Sequence, residues 1–184
     1  MKTLIVSSSL SPESRSFILC KEVYNRLSVK GIEVKMIDAR DMDLRPCHTK
    51  ISESMTELDN EVDHADNIII GMGVHCYSVN DGLKIILDNC FGKSTGKFFG
   101  IICAAGGERS YLSTQHLTQI CMNEWRMIQL PRIVYATGKD FEENKIKNKD
   151  LLERLDMLAK DAILFVVDEL GKLQGSLTDG DVRR

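Results

Sequence analysis

The stretch "VSSSLSPESRS", Val6 to Ser16, completes the apolar run "TLIV" and carries six serines, one proline and no glycine. The run before it reads as a short buried β-strand. The residues after it, Phe17, Cys20, Tyr24 and Leu27, recur at helical spacing. The serines therefore lie in a turn from strand to helix. The first N–H groups of a helix have no intrahelical partner, and the positive end of its dipole faces the same way, so an anion is favoured there. Hydroxyl donors from Ser7, Ser8, Ser9, Ser11, Ser14 and Ser16 would turn that helix start into a cradle for a phosphate monoester. A helix cap plus polar loop filler explains any one serine. Six at one strand end favour the cradle. A dinucleotide site would instead place G-x-G-x-x-G here, so that a pyrophosphate can approach bare backbone. Those glycines are absent, which leaves Asp38 as a strand-end residue rather than a ribose ligand.

Further apolar runs follow at 33–38 ("EVKMID"), 67–74 ("NIIIGMGV"), 98–104 ("FFGIICA") and 132–137 ("RIVYAT"). Helical spacing appears between them, at Met55, Leu58 and Val62, at Leu83, Ile86 and Cys90, and at Leu117 and Ile120 up to Trp125. A final helix carries Leu151, Leu155, Leu158, Ala162 and Val166, although 163–167 suits either a helix or a strand. Nearly continuous apolar strands are covered on both faces. Their alternation with helices predicts a parallel sheet with right-handed crossovers, that is, a doubly wound α/β fold. "GKDFEENKIKNKD", 138–150, reads as a polar loop.

A chain of 184 residues suits one domain rather than two. Its net charge of -3 offers no basic field for nucleic acid or an anionic membrane. The first residues lack the length of a signal peptide, and no run approaches the roughly 18 apolar residues of a membrane span. The cytoplasm is the expected location. Cys20, Cys47, Cys76, Cys90, Cys103 and Cys121 are scattered, with no C-x-x-C pair and no metal-ligand spacing, and read as reduced thiols.

In such sheets ligands sit beyond the carboxyl ends of the strands, where strand order reverses, so the loops after strands one, three and four matter most. "SSLSPESRS" (8–16) resembles the G-S-L-R-x-x-S-x-N phosphate loop of the NAD(P)H-dependent FMN reductases, with Ser9, Leu10 and Ser14 matching and Ser8, Ser11 and Ser16 replacing glycine, arginine and asparagine. "GVHCYSVNDGLKIILDNC" (73–90) resembles the family's P-x-Y-N-x-x-x-P-x-x-L-K-N-x-L-D segment, matching at Leu83, Lys84, Leu87 and Asp88 and departing from it at Gly73, His75 and Cys76. "AAGGERSYLS" (104–113) is similar to its small-residue, double-glycine turn.

The resemblance covers roughly 160 residues and implies a flavodoxin-like three-layer sandwich with a five-stranded parallel sheet in the order 2-1-3-4-5. It implies FMN as cofactor. Ser9, Ser11, Ser14 and Ser16 would lie at the phosphate, and Val74, His75, Cys76, Tyr77, Ser78, Ala105, Gly106, Gly107 and Tyr111 around the ring. Gly106 and Gly107 permit positive φ and a close approach of the ring to backbone, or else serve a tight turn. Tyr77 and Tyr111 line the nicotinamide side, or are partly buried loop aromatics. For His75, contact with the ring is favoured over proton transfer, because flavin chemistry resides on the cofactor. No catalytic side chain and no metal is implied. His48, His64 and His116 read as surface or packing residues.

The implied activity passes hydride from NADPH or NADH to FMN, and electrons onward to a small acceptor such as free flavin, a quinone, an azo compound or ferric iron. A homodimer or homotetramer is implied as well. The alternative is a non-enzymatic flavodoxin-like electron carrier, against which the modest net charge counts. The 166–184 stretch, with Thr178 and Asp181 in a T-x-x-D pattern, resembles a fragment of a CBS domain. It leaves open a third reading, a regulatory module without flavin. The expected division is a cofactor-binding domain over 1–170 and a tail over 171–184.

Overall fold

The computed structural model describes residues 1–167 and 173–176. Five long strands, β1 (Lys2–Ser7), β2 (Glu33–Asp38), β3 (Asn67–His75), β4 (Phe98–Ala105) and β5 (Ile128–Thr137), alternate with five helices. The helices are α1 (Arg15–Val29), α2 (Glu53–His64), α3 (Asp81–Cys90), α4 (Thr114–Glu124) and α5 (Lys149–Leu164). All neighbouring long strands are parallel, in the order β2-β1-β3-β4-β5 expected from the sequence. A sixth strand joins the sheet, the two-residue Ser78–Val79, which runs antiparallel to the end of β3.

Strand alternation divides the core in two. Leu4, Val6, Ile68, Ile70, Met72, Phe99 and Ile101 pack against α2, α3 and α4. Ile5, Ile69, Ile102, Val134 and Ala136 pack against α1 and α5. Because successive strand side chains point to opposite faces, an apolar run with both faces covered yields this three-layer sandwich directly.

Helix ends are fixed by local chemistry. Ser14 caps α1 by accepting a hydrogen bond from the Phe17 N–H at 3.1 Å, and Gly31, at φ 72°, lies just past the helix end. The last carbonyls of α2 receive the Lys97 ammonium, with Val62 O at 2.8 Å and Ala65 O at 2.7 Å. Burial lowers the pKa of that ammonium from its ordinary value.

Two expectations are corrected and one ambiguity is resolved. Strand β5 begins at Ile128 rather than 132, because the register breaks between Phe99 and Ile101, opposite Pro131. Proline lacks the ladder N–H and is tolerated at a bulge on an edge strand. The 138–150 segment is not a plain loop. It holds a 3-10 turn and a hairpin, Phe141–Glu142 with Lys145–Ile146, that buries Phe141. The ambiguous 163–167 stretch divides, with α5 running to Leu164 and a strand, Phe165–Val167, pairing antiparallel with Leu173–Ser176. The expected boundary at 170/171 and the T-x-x-D residues Thr178 and Asp181 lie outside the described residues. Among the described residues no helix is long and apolar enough to cross a membrane.

Candidate functional site

Strands β1, β3 and β4 are consecutive in the sheet and parallel, so the loops that follow them open side by side at one end. Strand order reverses between β1 and β3, which makes this end the expected ligand crevice.

The serine loop divides by role. Ser7 is fully buried at the end of β1, and its Oγ has no hydrogen-bond partner. By alternation it shares the α1 face with Ile5, beneath the start of that helix. Ser8 is also buried, but its hydroxyl is committed to Gly71 O at 2.7 Å and Asn80 Oδ1 at 3.0 Å. Ser9 accepts from the Ser11 N–H at 3.3 Å, and Ser11 is exposed. Ser14 and Ser16 are buried, with their hydroxyls 3.1 Å apart at the first turn of α1. The Ser14 and Ser16 hydroxyls stand together with the first N–H groups of α1, a donor set of the kind that suits a phosphate.

Two arginines flank this loop: Arg15, which the sequence offers as a replacement for the missing positive charge, and Arg40, which sequence reading did not single out. Arg40, just past β2, donates to Pro12 O at 3.2 Å, is held by Asp38 and lies 4.2 Å from the centre of the Phe17 ring. Asp38 is thus more than a strand end, since it caps the following turn and orients Arg40. Arg15 lies over Phe141, 5.7 Å from the ring centre, and leaves so little space that a Cβ at Gly138 would approach its Nη1 to 3.0 Å.

The loop after β3 is a two-residue hairpin. His75 pairs with Ser78 and Val74 with Val79, while Cys76 and Tyr77 form the turn at φ 46° and 61°. Two consecutive left-handed residues are the signature of a type I′ turn, which favours Asn and Gly. Cysteine and tyrosine adopt it here at some conformational cost. Val74 and Ser78 are half-buried, while His75, Cys76 and Tyr77 are exposed. The Tyr77 hydroxyl donates to Arg109 O at 2.9 Å and so ties this hairpin to the loop after β4. His75 Nδ1 lies 3.4 Å from Asp81 Oδ1 at the exposed rim. His116, read from sequence as lying outside the site, is at its edge, with Nδ1 2.9 Å from Ser78 Oγ.

The third loop follows β4. Ala105 is buried, and neither Gly106 nor Gly107 takes the expected positive φ; Gly107 is extended at φ −163°. A Cβ at either glycine would meet nothing within 4 Å. The glycines therefore leave bare backbone facing open space. The Tyr135 hydroxyl donates to Gly107 O, and burial raises its pKa, so it remains a protonated donor. Tyr111 is exposed and packs edge-on against Tyr135 at 5.2 Å, giving the open space an aromatic wall.

These features fit FMN on two grounds. A buried orphan hydroxyl and paired serines stand at a helix start, and an unobstructed glycine backbone stands where a flat ring needs room. Other candidates stand apart. The thiols of Cys90, Cys103 and Cys121 are pushed up to about 12 by burial and so remain protonated. A groove of about 750 Å³ on the flank of α3 and α4, lined by Lys84, Asp88, Ile120 and Trp125, is separate from the three loops. Trp125 is half-buried there against Phe91. Among the described residues no group of three or more His, Cys, Asp or Glu side chains could hold a metal ion.

The fold is that of a flavodoxin-like α/β protein in which the loops after β1, β3 and β4 open at one end of the sheet. The sequence pattern of the family described as NADPH-dependent FMN reductase matches residues 1–142, and the chain belongs to that family. Membership makes it an FMN-dependent oxidoreductase in the broad sense. Among curated proteins, an iron-sulfur flavoprotein of Methanocaldococcus jannaschii is 30% identical over 98 residues, covering 48% of this chain and 51% of the relative. The chain thus matches about half the length of that relative. Among solved structures, the apo form of an NADH:FMN oxidoreductase (EmoB) superposes with a TM-score of 0.77 at 16% identity, covering 91% of each chain. An FMN-dependent NADH-azoreductase from Bacillus anthracis, in complex with FMN, superposes at 0.62 with 16% identity over 89% of this chain and 98% of the other. At those identities the likeness concerns the fold.

Proposed function

We propose that the chain is an NAD(P)H-dependent FMN oxidoreductase that hands electrons to a small acceptor: free flavin, a quinone, an azo compound or ferric iron. The observation that carries this reading is the pairing of a serine-lined helix start with bare backbone at Gly106 and Gly107 across one crevice. Ser9, Ser11, Ser14 and Ser16 would hold the phosphate with the first N–H groups of α1, and Arg15 and Arg40 would add positive potential from either side. Val74, His75, Cys76, Tyr77 and Ser78 would border one edge of the ring, with Ala105, Gly106, Gly107 and Tyr111 at the other. When bound, FMN supplies the two-electron chemistry, taking a hydride equivalent from the nicotinamide and passing electrons to the acceptor. The protein's part is to position and shield. The Tyr77–Arg109 hydrogen bond holds the two ring-side loops together, and the Tyr135–Gly107 hydrogen bond ties the loop after β4 to strand β5. The open space at the glycines leaves one side free for the nicotinamide and then the acceptor, which predicts ping-pong kinetics.

The test is anaerobic stopped-flow mixing of the FMN-loaded protein with millimolar NADPH or NADH. Flavin absorbance near ~450 nm should be lost faster than about 0.01 per second. Slower loss with both donors would overturn the reductase and leave the electron carrier.

Residues 1–170 form the proposed cofactor-binding unit. Deleting Gly171–Arg184 should leave FMN affinity within about threefold of the full chain by fluorescence titration, a change under 1 kcal/mol. Loss of FMN from a folded truncated protein would give the tail a direct part in the site. A homodimer or homotetramer is part of the proposal, supported by the exposed apolar residues Leu112, Met122 and Ile128. Six free thiols suit a reducing, cytoplasmic setting.

A further inference from the structure

Asn80 occupies the N-cap position of α3, where an Asn side chain ordinarily accepts a hydrogen bond from its own helix, yet it makes no such bond. It is fully buried and points across the crevice floor instead. Its Nδ2 donates to Ser8 O at 2.8 Å, and its Oδ1 accepts from Ser8 Oγ at 3.0 Å and from the Gly73 N–H at 3.2 Å. One amide therefore joins the loop after β1 to the end of β3. The space is tight, since a Cβ on Gly82, two residues on, would approach Ser8 O to 2.8 Å.

The consequence follows from peptide geometry. In a trans peptide the C=O and the next N–H point in opposite directions. Fixing Ser8 O toward Asn80 turns the Ser9 N–H the other way, and fixing the Gly73 N–H holds the peptide that leads into the Val74–Ser78 hairpin.

We propose that Asn80 is a positioning residue that sets the phosphate cradle in register with the ring-side hairpin, so that the preference of the protein for FMN over riboflavin depends on it. Resting on the functional reading above, the proposal concerns how the site is assembled. Asn80 touches neither the phosphate nor the ring in this arrangement. It acts through the Ser8–Ser9 and Met72–Gly73 peptides. Removing it frees the first loop to rotate while the helix start stays in place, so the contribution of the phosphate falls more than that of the ring.

The test compares FMN and riboflavin dissociation constants, by fluorescence titration of the full chain, for the native protein, Asn80→Ser and Ser8→Ala. Serine at 80 retains helix-capping ability but cannot span to Ser8 and Gly73, so the fold is kept while the bridge is lost. The expected result is a fall of about tenfold or more in the FMN-to-riboflavin affinity ratio for Asn80→Ser, about 1.4 kcal/mol of discrimination. Ser8→Ala, which removes one hydroxyl at the far end of the bridge, should lower the ratio less. A purely structural role would instead reduce thermal stability and weaken both ligands by the same factor, leaving the ratio unchanged. That outcome overturns the proposal. If Asn80→Ser does not fold, Asn80→Thr, which can also cap the helix but is too short to bridge, decides instead, and an unchanged ratio there also overturns the proposal. A native protein that binds neither ligand, or binds both equally, would instead defeat the functional reading itself.

Discussion

Ser14→Asp should weaken FMN binding about a hundredfold while changing riboflavin binding by less than about threefold. The substitution isolates charge. Asp is as good an N-cap as Ser, so the hydrogen bond from the Phe17 N–H, 3.1 Å in the native protein, can be kept and α1 should stay intact. What changes is a negative charge beside the Ser16 hydroxyl, where a phosphate carrying nearly two negative charges would sit. Two unit charges about 5 Å apart at an effective dielectric of about 20 repel by about 3 kcal/mol. Partial screening at the crevice mouth and the neighbouring Arg15 and Arg40 reduce the effect, leaving about 2.7 kcal/mol, or a factor of about one hundred. Riboflavin has no phosphate and serves as the internal control. The measurement is paired fluorescence titration at fixed ionic strength, and raising the salt should shrink the difference. Equal weakening of both ligands would mean that the substitution damaged the fold. No weakening of either would mean that the phosphate lies elsewhere.

The legible parts of this fold and site are those in which local chemistry and tertiary role coincide. The five strands read as continuous apolar runs because each is covered on both faces, and the serine loop stood out because hydroxyls crowd one strand end. Other features were hidden for physical reasons. The Cys76–Tyr77 turn lacks the Asn and Gly that mark a type I′ hairpin, so only the fold could show the left-handed pair. The first residues of β5 fall outside the apolar run at 132–137 because a bulge at Pro131 on an edge strand cannot be recognised without its partner strand. Asn80 carries no signal of its own in the sequence, because its bridge to Ser8 joins residues 72 positions apart. Arg40 and Arg15 are placed by rings at Phe17 and Phe141, in the latter case from a hairpin that looked like polar loop. At Gly106 and Gly107 the residue type was informative but the reason was different. The glycines leave room rather than a left-handed turn.

Gly71→Ala should be among the most damaging single-methyl changes available, and Cys20→Ala should rescue it. Gly71 lies in β3 against α1, and an ideal Cβ there would stand 2.2 Å from Cys20 Sγ, 3.5 Å from Val6 O and 3.8 Å from Ser16 O. The sulfur cannot simply swing aside, because Cys20 is fully buried in the cluster with Leu19, Val23 and Ile69. Overpacking of this kind costs about 1–3 kcal/mol, and for a domain of this size each kcal/mol lowers Tm by about 2–4 °C. The expected loss is therefore roughly 3–10 °C in thermal unfolding. The damage should extend to ligand binding. Gly71 O receives both the Ser8 N–H at 3.0 Å and the Ser8 hydroxyl at 2.7 Å, so moving α1 off β3 disturbs the floor of the cradle along with the packing. FMN affinity should thus fall together with stability. Cys20→Ala alone removes one buried sulfur and leaves a small void, a milder loss. Combined with Gly71→Ala, the new methyl group occupies the space the sulfur vacates, and the double variant should be more stable than Gly71→Ala and regain most of its FMN affinity. That is a favourable coupling of about 1–2 kcal/mol, measured as a double-mutant cycle. Additive losses would show that the Cys20 sulfur is not what refuses the methyl group, and an unperturbed Gly71→Ala would show that α1 stands further from the sheet than 2.2 Å implies.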